Sequence, residues 1–86
     1  MKEIVAVLSN VRSIHNVGSM FRTADSAGIK KMYLCGITPK PTDMFDKVRP
    51  EFAKVSLGAE KYLEWVYARS TLAVMNALKK EGYTVV

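Results

Sequence analysis

Hydrophobic residues near the start of the chain form an uninterrupted run, Ile4-Val5-Ala6-Val7-Leu8. Branched side chains without polar alternation predict a strand covered on both faces, as in a parallel sheet. After the polar stretch Ser9–His15 the period changes. Val17, Met20, Phe21 and Ala24 follow the i, i+3, i+4, i+7 spacing of a helix with one apolar face, and Ser19, Arg22 and Ser26 fall on the opposite side. Ser13 or Asn16 is placed to cap its N-terminus, and Gly28 supplies a left-handed stop. Lys31–Gly36 reads as a second strand. Strand, loop, helix and strand in this order make a βαβ unit with a right-handed crossover. Such sheets bind ligands beyond the carboxyl ends of their strands. That places Asn10, Arg12 and Asn16, with the loop after Gly36, on the expected functional edge.

The pattern is less regular further on. Thr38-Pro39-Lys40-Pro41-Thr42-Asp43 is a stiff turn segment, because each proline fixes its own φ and restricts its predecessor. Asp43–Phe52 predicts a surface loop with a short helical turn, Pro50 interrupting any longer helix. Tyr62, Leu63, Trp65, Val66 and Tyr67 form an aromatic cluster among apolar neighbours, which favours core or interface packing over base stacking. Ser70 caps a second helix whose buried face is Thr71, Val74, Met75 and Leu78. Lys79 and Lys80 complement its C-terminal dipole and Gly82 ends it. Tyr83–Val86 reads as the beginning of another strand, expected to continue in a longer protein.

Composition narrows the class. Eighty-six residues with 49% hydrophobic content suit one small folded domain spanning residues 1–86, not a disordered chain. A net charge of +5, from 13 Lys and Arg against 8 Asp and Glu, suits a nucleic-acid partner but is weak evidence alone. Cys35 is the only cysteine, which excludes an internal disulfide, and it reads as a small buried hydrophobe. No apolar stretch approaches 18 residues and Met1-Lys2-Glu3 opens no signal-peptide pattern, so a cytoplasmic setting without a membrane partner is expected.

Candidate chemistry gathers on the first helix. Helical side chains lean toward the N-terminus, so Arg22 leans over Gly18, where no side chain blocks it. A guanidinium, free N–H groups and a bare backbone patch make a plausible phosphate site, to which Arg12 adds a second cation. The structural alternative is a surface ion pair between Arg22 and Asp25.

The segment Asn16-x-Gly18-x-x-x-Arg22-Thr23-Ala24, with Gly28 four residues later, resembles the first motif of the SpoU (TrmH-type) RNA 2′-O-ribose methyltransferases of the SPOUT superfamily. The similarity continues through Tyr33-Leu34-Cys35-Gly36-Ile37-Thr38-Pro39-x-Pro41, Ser56-Leu57-Gly58-Ala59-Glu60 and Gly82-Tyr83-Thr84-Val85-Val86. The resemblance implies an α/β fold, a parallel sheet with flanking helices, like the N-terminal half of a knotted SPOUT domain. It also implies methyl transfer from S-adenosylmethionine to a ribose 2′-hydroxyl of rRNA or tRNA. Carried over, Arg22 activates that hydroxyl and Asn16 organises the loop and the RNA backbone contacts. Asn10, Arg12, Gly18 and Ser19 would face the RNA. The family holds its cofactor with a Gly-Asn-Glu-rich loop and a Ser-x-Asn segment in the knot. Neither occurs in these residues, so no cofactor ligand is expected here and the chain is expected to be inactive alone. No metal is implied.

Two other readings compete: a non-catalytic basic RNA-binding module, and a self-associating α/β domain. Helix faces around Met20, Phe21, Val74 and Met75, with the edge of Tyr83–Val86, are the expected surfaces for a homo-oligomer.

Overall fold

A computed structural model describes residues 3–84. Strand β1 (Val5–Ser9) leads into helix α1 (Ile14–Ser26), then strand β2 (Lys31–Cys35) and helix α2 (Pro50–Ser56). A short 3-10 turn (Ala59–Lys61), strand β3 (Glu64–Ala68) and helix α3 (Thr71–Lys80) complete it. The three strands form one parallel sheet in the order β1-β2-β3. Val5 is in register with Lys31 and Ser9 with Cys35; Lys31 in turn is in register with Glu64 and Cys35 with Ala68. This is the expected α/β arrangement of a parallel sheet with flanking helices.

Alternation along the strands divides the core in two. Leu8, Met32 and Leu34 face α1 and α2, where they meet Val17, Phe21, Ala24 and Phe52. Val5, Val7, Tyr33 and Cys35 face the other way, toward Val74 and Leu78 of α3. In the larger core Phe21 and Phe52, both fully buried, meet edge to face with centroids 5.0 Å apart.

The ends of the first helix follow the sequence closely. Ser13, not Asn16, is its N-cap, and Ser13 Oγ accepts from the Asn16 N–H at 3.2 Å. At the other end Ile29 N–H donates to Ala24 O (2.9 Å) and Gly28 N–H to Asp25 O (3.2 Å), with Gly28 at φ 82°. This Schellman pair of bonds needs the left-handed residue that glycine supplies. On α3, Ser70 Oγ accepts from Ala73 N–H as the residue pattern implies.

Several expectations are corrected. Pro50 does not interrupt a helix but begins one: it occupies the first turn of α2, where the N–H that proline lacks has no intrahelical partner. Tyr62–Tyr67 is not simply a packed aromatic cluster, since Glu64–Ala68 is the third strand. As an edge strand it is only partly covered: Leu63 is buried and Trp65 packs on the core, while Tyr62, Val66 and Tyr67 are exposed. Tyr83 and Thr84 lie in no strand, and Val85-Val86 lie outside the described residues. Of the faces expected to be uncovered, Phe21 and Val74 are buried in the chain's own cores; Met20 is exposed and Met75 half-buried.

Gly18 is the largest correction. It is buried, and a Cβ there would collide with Val55 Cγ2 and lie 3.0 Å from the carbonyl oxygen of Phe52. The missing side chain lets α1 and α2 touch; it does not open a bare patch to solvent. Gly18→Leu should therefore force the helices apart, an overpacking cost of about 1–3 kcal/mol. In a domain of this size that lowers the melting temperature by several degrees, roughly 4–8 °C per kcal/mol. An unchanged thermal melt would show that α2 yields freely.

Cys35 supplies a second test. It is fully buried, and that burial raises its thiol above the ordinary value, only partly opposed by the Thr71 hydroxyl. The folded chain should resist a thiol reagent near neutral pH and react once denatured. Because the unfolded thiol ionises first, the stability this group contributes is lost as pH rises through the alkaline thiol range.

Candidate functional site

The carboxyl ends of the three strands lie along one edge, and the loops leaving them are tied to one another. Asn10, directly after β1, adopts φ 55°, a left-handed conformation that Asn tolerates better than most residues. Its N–H donates to Cys35 O at 3.1 Å, and its Oδ1 accepts from Ile37 N–H at 3.0 Å. Gly36, at φ 67°, faces this amide so closely that a Cβ would overlap Asn10 Oδ1.

Thr38 completes the tie from inside. Its buried hydroxyl accepts from Val11 N–H at 3.1 Å, and its single proton lies between the carbonyls of Cys35 (2.8 Å) and Leu8 (3.3 Å). The third strand joins through Tyr67, whose hydroxyl donates to Gly36 O at 2.6 Å, and through Gly36 N–H, which donates to Ala68 O at 3.3 Å. Ser9 Oγ and Thr71 Oγ1, 2.7 Å apart, fasten β1 to the start of α3.

The residues singled out in the sequence fall into separate groups. Arg12 is exposed in the loop between β1 and α1. Asn16 and Ser19 are exposed on α1 and line a shallow hollow of about 400 Å³ beside β1, with Met20, Ala6 and Leu8. Arg22 is exposed too, but on another flank: six residues on from Asn16, it lies roughly 120° around the helix axis, toward α2. Asn16 and Arg22 thus share a helix without sharing a face. Gly18, between them in the motif, is beneath α2 and unable to contact RNA directly. Asn10 is at the expected edge, but its carbonyl oxygen is engaged by Ile37, so it braces the loops.

Asp25 forms no ion pair with Arg22. The pair among the described residues is Lys31–Glu64, 3.4 Å apart and exposed, which contributes little stability. Lys31 is held charged above its ordinary range, first by Tyr33 and then by Glu64. No group of three or more His, Cys, Asp or Glu among the described residues is placed to hold a metal.

The loop after Gly36 is expected at this edge, but the ties made by the Thr38 hydroxyl and by Tyr67 are ones that pattern reading does not reach. Thr38 reads locally as a turn residue before proline, and its partners Leu8 and Val11 are distant in the chain. Thr38→Val keeps the shape and removes the hydroxyl, leaving Val11 N–H without its acceptor. The expected loss is about 1–3 kcal/mol of stability. Hydrogen exchange at the Val11 amide should speed up; unchanged exchange would mean that water replaces the hydroxyl.

Comparison with known proteins agrees with this geometry. The SpoU rRNA Methylase family matches residues 3–86. The solved SpoU methyltransferase AviRb from Streptomyces viridochromogenes, in complex with the cofactor AdoMet, is similar, with a TM-score of 0.69 and 25% sequence identity. The likeness covers 93% of this chain and 29% of that one, so the chain spans less than a third of this relative's length. No curated protein matches. With almost its full length matched, and with Asn16, Gly18 and Arg22 all on α1 behind the carboxyl end of β1, the chain belongs to the SpoU rRNA methylase family.

Proposed function

We propose that this chain is an RNA-facing part of a methyltransferase that moves a methyl group from S-adenosylmethionine to a ribose 2′-hydroxyl of rRNA or tRNA. The observation that carries the reading is Arg22, exposed on α1 with no ion-pair partner among the described residues, in the family's motif position. A ribose hydroxyl is a poor nucleophile, because charge must develop on its oxygen as the methyl carbon approaches. Arginine stays protonated and does not act as a base at neutral pH. Its contribution is charge: as the hydroxyl proton passes to water, donors aimed at the oxygen stabilise the forming alkoxide. Asn16, in the first turn of α1 but on a different flank from Arg22, and Arg12, in the preceding loop, are exposed and would contact the RNA backbone apart from the reacting hydroxyl.

The cofactor supplies the methyl group when bound. The residues described here do not fit it by themselves. A hollow of about 760 Å³ among the described residues, between β1 and α3, is mainly apolar, lined in part by Ile4, Val5, Val7, Met75 and Leu78. The polar atoms of the carboxyl edge, Asn10 Oδ1 and Thr38 Oγ1, already serve backbone partners. No residue is therefore assigned to the cofactor. The same apolar hollow and the exposed Met20 support the further reading of a homo-oligomer. No helix of the described residues is long and apolar enough to cross a membrane, and a cytoplasmic setting fits an RNA substrate.

The test is methyl transfer by the enzyme containing this chain, with labelled donor and RNA whose target nucleotide carries or lacks its 2′-hydroxyl. Label should enter only the hydroxyl-bearing RNA. Arg22→Ala should cut turnover about 100- to 1,000-fold, as loss of one oxyanion donor does elsewhere, and leave the melt unchanged. Full activity in that variant would remove Arg22 from the mechanism. RNA binding without transfer would favour a non-catalytic module.

A further inference from the structure

Among the described residues β3 pairs with β2 alone, and its backbone shows what it offers on the other side. Glu64 N–H donates to Lys30 O at 2.9 Å, and Ala68 O accepts from Gly36 N–H at 3.3 Å. Backbone groups alternate in direction along a strand, so Glu64, Val66 and Ala68 turn theirs toward β2. Trp65 and Tyr67 turn theirs away, where no strand among the described residues meets them.

Natural sheets blunt such edges with charges, prolines or bulges. Trp65-Val66-Tyr67-Ala68 has neither charge nor proline, and its pairing with β2 runs without a bulge. Val66 and Tyr67, on opposite faces of the sheet, are 38% and 41% exposed. Tyr67 is already held in place. Its hydroxyl donates to Gly36 O at 2.6 Å and Lys40 Nζ lies 5.4 Å from its ring centre, so pairing this strand costs little side-chain freedom.

The strand is complementary to itself. Antiparallel pairing about a two-fold axis through Val66 sets Trp65 opposite the partner's Tyr67, and Tyr67 opposite the partner's Trp65. These are the residues whose N–H and C=O groups face outward, so each donor finds an acceptor. Rings then lie beside rings on the α1 and α2 face, while Val66 meets the partner's Val66 on the other. This register pairs the whole of Glu64–Ala68 and sets Glu64 against an alanine. Centring on Glu64 instead would oppose two carboxylates, and centring on Trp65 would oppose Lys61 and Arg69.

We propose that this chain self-associates through β3, two copies pairing antiparallel about Val66 into one continuous sheet. The inference rests on the homo-oligomer reading above and gives it a surface separate from the hollow between β1 and α3. A seam one short strand wide falls at or below the low end of specific interfaces, about 1,200 Å², so the dimer should depend on concentration.

The experiment is sedimentation and amide hydrogen exchange on the full chain without RNA, over roughly 10 μM to 1 mM. Mass should rise toward the dimer. Across that range the Trp65 and Tyr67 amides should slow about fivefold, while the Val66 amide, which faces β2, stays constant. Val66→Cys places two thiols across the axis with Cα atoms about 4.5 Å apart, within reach of a disulfide, and diamide should link them. Cys35 is buried and should not compete. Glu64→Cys holds its thiols roughly 13 Å apart and should stay unlinked. Val66→Lys opposes two like charges and should weaken association about tenfold or more.

A monomer at every concentration would overturn this proposal together with the homo-oligomer reading. A dimer whose Trp65 and Tyr67 amides stay fast, or in which Glu64→Cys links as readily as Val66→Cys, would overturn this proposal alone. So would protection that rises in β1 instead, which would put the contact at the hollow. Exchange in the wild-type chain decides the matter even where a variant fails to fold.

Discussion

Helices α1 and α2 lie side by side on one face of the sheet only because position 18 carries no side chain. A Cβ there meets Val55 and the Phe52 carbonyl, so any other residue would hold the two backbones apart. The approach seats Phe52 against Phe21 and closes the larger core over Leu8, Met32 and Leu34. It also fixes the start of α2, and with it the span that the loop after β2 must cross. The exposed tip at Met44 and Phe45 lies in that span. A glycine that belongs to a family motif is, in this chain, the condition for helix packing.

The carboxyl edge shows a second economy. Its polar groups largely bond to one another: Asn10 to Ile37, Thr38 to Val11 and the strand ends, Tyr67 to Gly36. Loops leaving three different strands are thereby held as one surface, in the place where parallel sheets carry their ligands. Arg12, Asn16 and Arg22 are exposed, and their side chains take no part in this bracing among the described residues. Bracing and contact are divided between different residues, and a motif read as a string of letters mixes the two.

The Ser56–Glu60 motif illustrates the same division. Leu57 at φ 51° and Gly58 at φ 84° are consecutive left-handed residues that turn the chain out of α2, and the Ser56 hydroxyl donates to Glu60 at 2.7 Å across the corner. Ser56 is buried and Leu57 exposed. The motif serves a reversal of direction that delivers β3 to its place beside β2. Nothing about it calls for chemistry.

Local periodicity determined much of this protein. The run Ile4–Leu8, the helical spacing from Val17 to Ala24, the serine caps and the glycine stops are each readable within a few residues, because strand alternation, helix turns and capping bonds are short-range. The βαβ order and the placement of Asn10, Arg12 and Asn16 at the carboxyl end of β1 follow from them, as does the burial of Cys35. Contacts between distant residues decided the rest. Gly18 faces α2 because of Phe52 and Val55, more than thirty residues away. Thr38 matters through Leu8 and Val11, and Glu64–Ala68 is a strand because β2 offers an edge with which to pair. Its own pattern is blurred by exposure. Asn16 and Arg22, members of one motif, are set on different flanks by the turn of the helix, and only the packing of α2 gives those flanks different surroundings. Side-chain period is a property of the chain; what each face meets belongs to the fold.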